Sequence, residues 1–299
     1  MASSMACRQQ PILETAAPAQ DNPPILRIKD CTRSMPGTIA ASPQPDSPPF
    51  SIYNDSGQAQ LLLVADHASR HIPAGLQQLG LDETDLQKHV AWDIGSADLA
   101  RALADLLDAP LILAGYSRLI IDLNRQPDDP TAMPPISDGI VIPGNQALDD
   151  EHRAWRMDTF YRPYHAAISA RLDQYEQAGI TPALLSIHTC TPVFGNVARP
   201  WQIGVMWDKD ARIAGPMLQA LNQLPGLCIG DNQPYSGRHP HDFTIDFHAE
   251  GRGLAHVGIE VRQDLLSSRD DALHWAEVLA GALSGPLADP ETYRLHTPS

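Results

Sequence analysis

The sequence predicts an α/β layered domain built on a mostly parallel or mixed sheet. Two observations carry this reading: short, wholly apolar runs recur between residues 61 and 262, and between them lie longer segments with apolar residues at helical spacing. Strands that are apolar throughout are buried on both faces, so helices must cover both sides of the sheet. A third observation concerns organisation. From residue 50 onward there is neither an internal repeat nor a second break in composition, which points to one catalytic-size domain.

The first 49 residues stand apart, with no Phe, Tyr or Trp and 9 of the chain's 27 prolines. Such a segment cannot offset its ordering entropy with buried apolar area, so residues 1–48 are expected to be disordered and residues 49–299 to form the domain. Leu61–Ala65 reads as a buried strand feeding a loop at Asp66-His67. Residues 93–107 carry Ile94, Ala97, Leu99, Leu103 and Leu106 at helical spacing. Pro110–Ala114 and Leu119–Leu123 read as two further strands, followed by a polar loop over 126–145, of which 128–145 is expected either to cover the site or to be a plain surface excursion. Residues 149–177 are helical in pattern, kinked or divided at Pro163 and stopped by Gly179. The remaining strands are expected at Ala183–His188, Gln202–Trp207, Leu227–Gly230, Thr244–Phe247 and Val257–Arg262, with helices at Ala211–Leu224 and Asp270–Leu283.

Composition excludes several functions. With 21 Lys+Arg against 36 Asp+Glu the net charge is −15, and no basic cluster exists to release counterions from nucleic acid or an anionic membrane. No apolar run approaches the roughly 20 residues that span a bilayer, and the N-terminus lacks the basic start and apolar stretch of a secretory signal, so a cytoplasmic location is expected. None of the four cysteines forms a C-x-x-C pair. There is no G-x-S-x-G elbow, no phosphate-binding P-loop and no G-x-G-x-x-G fingerprint.

In sheets of this kind ligands bind outside the carboxyl ends of the strands. The polar residues expected there are His67, Asp93, His188 and Glu260. Two imidazoles and one carboxylate with an open fourth position make a catalytic zinc site, and a further carboxylate can act as general base. The donors come from distant parts of the chain, so ordinary buried histidines are the competing reading. Arg118 opens the run 118–125 and Asn124-Arg125 closes it. A guanidinium fork there is either paired to an acid such as Asp122 or held for an anionic ligand.

At these residues the chain resembles the N-formylglutamate amidohydrolases. The resemblance rests on residues 64–69 (Val-Ala-Asp-His-Ala-Ser), 89–95, 117–125, 161–165 (Tyr-Arg-Pro-Tyr-His), 186–189, 232–237 and 259–264, in order over roughly 58–285. It implies a three-layer α/β/α domain similar to the zinc carboxypeptidases, with one zinc ion per chain held by His67, Asp93 and His188. Glu260 would be the general base and Arg118 the group that polarises the scissile carbonyl. Asn124 and Arg125 would hold a substrate carboxylate, and Tyr235 and His248 fall in segments that the resemblance places near the pocket. His89, one helical turn before Asp93, would orient a ligand.

Arg70 and His71 stand where the carboxypeptidases have a ligand Glu, so Asp93 must supply the carboxylate, with His71 the alternative. The implied reaction is release of formate from N-formyl-L-glutamate or a related small N-acyl amino acid, by analogy in histidine degradation. An aspartoacylase-like deacylase or a carboxypeptidase-type peptidase is the nearest rival. A non-catalytic zinc- or anion-binding protein is the rival from another class. The expected partner is a small anionic molecule, with neither nucleic acid nor membrane, and a homo-oligomer is left open.

Overall fold

The computed structural model describes residues 43–238 and 242–296. In chain order the strands are β1 (Phe50–Tyr53), β2 (Leu61–Ala65), β3 (Leu111–Ala114), a small hairpin of β4 (Ile136–Ser137) and β5 (Ile140–Val141), and β6 (Ala183–Cys190). A second hairpin follows, β7 (Val193–Phe194) and β8 (Val197–Ala198), then β9 (Ile203–Met206), β10 (Ile229–Asp231) and β11 (His256–Arg262). The helices are α1 (Glu83–Leu86), α2 (Ser96–Leu107), α3 (Asp150–Arg156), α4 (Arg162–Gln177), α5 (Ala214–Asn222), α6 (Phe243–His248) and α7 (Arg269–Ala288).

The central sheet has the order β1-β3-β2-β6-β11-β9-β10. Neighbours are parallel except β1 with β3 and β11 with β9, so the sheet is mixed and mostly parallel. Successive side chains of a strand point to opposite faces, and β2 shows the consequence. Leu61, Leu63 and Ala65 enter one core with α2, α5 and α7, while Leu62 and Val64 enter another with Tyr164, Ile168 and Leu172 of α4. Both faces are covered, giving the three α/β/α layers.

Pro163 divides the long helix without breaking it. A π-helical turn over Met157–Tyr161 joins α3 to α4, and the Arg162 N–H bonds back to the Met157 carbonyl. Proline supplies no N–H to the helical ladder, and widening the turn just before it absorbs that loss.

Two expected strands are corrected. Residues 244–247 belong to α6: apolar residues at 243, 245 and 247 mimic strand alternation, but the Asp242 carboxylate caps the segment by accepting the Ile245 N–H at 3.2 Å. Residues 119–123 form turns rather than a strand, although Leu119, Ile120 and Ile121 are buried. Buried backbone must find partners, and here two side chains and a carbonyl from elsewhere in the chain supply them. The Asn145 amide donates to the Leu119 carbonyl at 2.9 Å, Arg156 Nη1 to the Ile120 carbonyl at 2.8 Å, and the Asp122 N–H to the Ala132 carbonyl at 2.7 Å. Of the expected N-terminal segment, residues 1–42 lie outside the described residues. Closer to the domain, the Ser47 N–H donates to the Tyr116 hydroxyl at 2.9 Å, and Asp46 Oδ1 lies 2.7 Å from His71 Nε2.

Arg156 is the unusual member of this scaffold. It is 1% exposed, and its guanidinium also donates to Asn145 Oδ1 at 2.7 Å and to the Gly144 carbonyl at 3.1 Å. Burial pulls its pKa down to about 10. Replacing it by Met strips three buried acceptors of their donor at similar volume, so Arg156→Met should destabilise the fold by about 2–4 kcal/mol in urea denaturation.

Candidate metal centre and active site

The sheet brings the expected donors together. His188 lies in β6 and Glu260 in β11, and the parallel register pairs these two residues directly. His67 follows the end of β2, the neighbour of β6 on its other side. Asp93 sits in the turn before α2, tied to the first loop by its N–H, which donates to the His67 carbonyl at 3.0 Å. Asp93 Oδ2 is 3.0 Å from His188 Nδ1 and 3.4 Å from His67 Nδ1. Among the described residues, these three are the group whose donor atoms, all within 4.8 Å of one another, could hold a metal ion. His71 is not part of it, since it pairs with Asp46.

The donor set fits a zinc-type cation. Tetrahedral coordination with bonds of about 2.0–2.1 Å sets ligands about 3.3 Å apart, close to the two short separations seen. Each imidazole is also fixed from behind. His67 Nε2 faces Asp122 Oδ1 at 2.8 Å, and His188 Nε2 faces Ser186 Oγ at 2.8 Å, with Asp66 Oδ2 at 3.6 Å. When Nε2 carries the donated hydrogen, the Nδ1 lone pair is left to point at Asp93 and at any ion beside it. Asp122 also receives Arg118 Nη2 at 2.6 Å, while Arg118 Nη1 reaches the outer oxygen of Asp93 at 3.3 Å.

The electrostatics follow from this crowding. Burial alone would keep Asp93 protonated, yet the two imidazoles hold it well below the usual carboxylate range. Asp122 is likewise depressed, because Arg118 and His67 outweigh its burial. His188 moves upward to about 10, since the hydrogen bond and charge of Asp93 exceed the effect of burial. Glu260 behaves in the opposite sense to Asp93 and Asp122. Its Oε2 is buried and has no hydrogen-bond partner among the described residues, and desolvation raises its pKa well above the usual glutamate value. A carboxyl of that kind can take up and release a proton near neutrality.

A cleft of about 450 Å³ opens on this cluster, lined by His67, Asp93, His188 and Glu260 and also by Arg118, Asn124, Arg125 and Tyr235. Tyr235 is brought to it by the segment after β10. The Gln233 carbonyl lies against Gly204 and Gly230, where a Cβ would come within 2.2 Å, so neither position admits a side chain without movement. His89 lines the cleft as well and faces Asp138 Oδ2 at 3.3 Å, which brings the tip of the 126–145 loop to its edge.

His248 is a correction. It is fully buried away from the cleft lining, stacked on His165 with its Nε2 2.9 Å from His165 Nδ1. Arg118 lines the cleft with its fork committed to Asp93 and Asp122, the paired alternative of the two that the sequence left open. Asp122 was legible only as a partner for Arg118, and Ser186 and the Asp66 side chain had no assigned role at the sequence level, although Asp66 directly precedes His67.

The layout is that of an α/β/α protein with a polar cleft over its mixed, mostly parallel central sheet. The chain belongs to the N-formylglutamate amidohydrolase family, whose model matches residues 59–267, and so to the hydrolases acting on an amide. Among solved structures, the gene product Atu2144 from Agrobacterium tumefaciens is 33% identical with a TM-score of 0.79, over 82% of this chain and 97% of that one. The N-formylglutamate amidohydrolase from Ralstonia eutropha JMP134 is 19% identical with a TM-score of 0.54, over 80% and 96%, and shares the fold. No curated protein matches the chain. Among the described residues, no helix is long and apolar enough to cross a membrane.

Two measurements test the centre. Asp122→Asn should weaken zinc binding about 10–100-fold in competition with a chelator. Acidification should weaken it too, because a raised His188 pKa means that the cation must displace a proton from Nδ1. Calorimetric titrations in two buffers of different protonation enthalpy should register that proton.

Proposed function

We propose that this protein is a zinc-dependent amidohydrolase that cleaves N-formyl-L-glutamate, or a closely related small N-acyl amino acid, to formate and the free amino acid. The observation that carries this reading is the pairing of His188 with Glu260 across β6 and β11, which sets a buried carboxylate, one oxygen of it unpaired among the described residues, beside a two-histidine, one-carboxylate donor set. Membership of the family supports the choice of acyl group.

His67, Asp93 and His188 would hold the ion. A cation in such a set supplies Lewis acidity toward water and toward a carbonyl oxygen. Arg125 and Asn124, both on the cleft wall, bind the substrate carboxylate and fix the amide in front of Glu260. Glu260 accepts a proton from the attacking water as oxygen bonds to the formyl carbon. It then delivers that proton to the departing nitrogen as the C–N bond breaks. One proton leaves water and one reaches the amine, so the carboxylate returns ionised.

Arg118 is well placed to offset negative charge growing near Asp93, while its two ion pairs keep it fixed. Tyr235 adds a phenol on the opposite wall, anchored by Arg199, whose Nη2 donates to its oxygen at 3.0 Å.

Glu260→Gln should keep one zinc per chain by metal analysis while kcat falls about 10²–10⁴-fold; activity within a few-fold of wild type would remove Glu260 as the base. Arg125→Ala should raise KM with little change in kcat, as expected for a group that grips ground state and transition state alike. A panel of formyl, acetyl and peptidyl substrates separates this activity from a deacylase or peptidase, and formate release is the outcome that upholds it.

A further inference from the structure

Three of the five residues Tyr161–His165, where the π turn passes into α4, reach both halves of the site. The Tyr161 hydroxyl donates to the Arg125 carbonyl at 2.9 Å, and His165 Nε2 to the Leu123 carbonyl at 2.9 Å. The Tyr164 hydroxyl donates to Asp66 Oδ1 at 2.7 Å. Asp66 is wholly buried, and its other oxygen faces Ser186 Oγ at 3.5 Å and His188 Nε2 at 3.6 Å, behind the donor set. We propose that the turn Tyr161–His165 is the positioning element of the site: Tyr164 sets the ligand His188 through Asp66, while Tyr161 and His165 set the anion-binding pair Asn124–Arg125 through the carbonyls on either side of Asn124.

The geometry explains each residue. A π turn widens the helix over Met157–Tyr161, ending on the first residue of this group, and π turns recur at functional sites. The backbone at 122–125 belongs to no strand, so it lacks a ladder to fix it. Two donors from a packed helix supply what a ladder would. His165 can donate from Nε2 only if Nδ1 accepts, and His248 Nε2 stands 2.9 Å from that nitrogen. The buried His248 thus holds the tautomer of His165. Burial lowers the pKa of both imidazoles, to about 4 and about 3, so the pair is neutral and needs this ordered set of donors.

On the other branch, Tyr164 neutralises none of the Asp66 charge but takes up one oxygen, leaving the second for Ser186 and His188. A ligand histidine backed in this way is fixed in tautomer and orientation.

The test separates the two branches. Asp66→Asn and Tyr164→Phe should each weaken zinc affinity, about 10–100-fold for Asp66→Asn and about fivefold for Tyr164→Phe, measured by chelator competition. Tyr161→Phe and His165→Phe should leave zinc affinity unchanged while raising KM for N-formyl-L-glutamate about fivefold to tenfold at nearly constant kcat. His165→Gln, which keeps an amide donor, should restore much of the lost affinity.

The inference is overturned if Asp66→Asn and Tyr164→Phe bind zinc as wild type does, or if Tyr161→Phe shifts zinc affinity, kcat and KM together as a general loss of structure would. The anion-binding branch rests on the substrate reading given above. If the wild-type chain does not hydrolyse N-formyl-L-glutamate, that reading fails, and the zinc affinities still decide the inference.

Discussion

A carboxylate buried between two imidazoles governs this structure. Asp93, His67 and His188 are all withdrawn from water, and withdrawing charge is costly unless every polar atom is answered. The inward atoms answer one another or a cation. The outward nitrogens need acceptors of their own, which accounts for Asp122 behind His67 and for Ser186 with Asp66 behind His188. Those acids bring further demands. Asp122 requires Arg118, and Asp66 requires Tyr164. A site of three donors therefore extends into a network reaching the helix on the far side of the sheet, and Glu260 stands out within it because one of its oxygens is left unanswered.

Sheet register turns that demand into geometry. The parallel pairing of β6 with β11 sets Glu260 beside His188, and the antiparallel pairing of β11 with β9 puts Gly204 on its other side. Glycine there does two things at once. It leaves the flank of Glu260 without a side chain, and it admits the Gln233 carbonyl that carries the Tyr235 segment to the cleft. Glu260 is thus placed by sheet register, whereas Asn124, Arg125 and Tyr235 reach the cleft from turns and loops.

Much of this was legible in the sequence. Wholly apolar runs such as Leu61–Ala65 and Ala183–His188 announce central strands, because only burial on both faces produces them. The donors were legible as polar residues at the ends of those strands. What failed was local pattern without tertiary context. Phe243, Ile245 and Phe247 alternate like a strand, but a capping aspartate and one buried side decide for a helix. His248 was assigned to the pocket from its neighbourhood along the chain, whereas its position at the last residue of α6 aims it at His165. The supporting groups Asp122, Asp66 and Ser186 are ordinary residues whose meaning exists only once three distant segments meet.

The irregular path of residues 116–125 decides which of their side chains reach the cleft. In a strand, alternate residues share a face, so Arg118, Asp122 and Asn124 would point one way and Arg125 the other. Yet Arg118, Asn124 and Arg125 all line the cleft while Asp122 turns to His67. Turns can aim neighbouring side chains to the same side, at the cost of leaving buried carbonyls without a ladder. Arg156, Asn145, Tyr161 and His165 meet that cost one carbonyl at a time. The apolar run that reads as a strand is held out of the sheet by buried donors, and its two terminal residues, Asn124 and Arg125, both reach the cleft wall, which alternation along a strand would not allow.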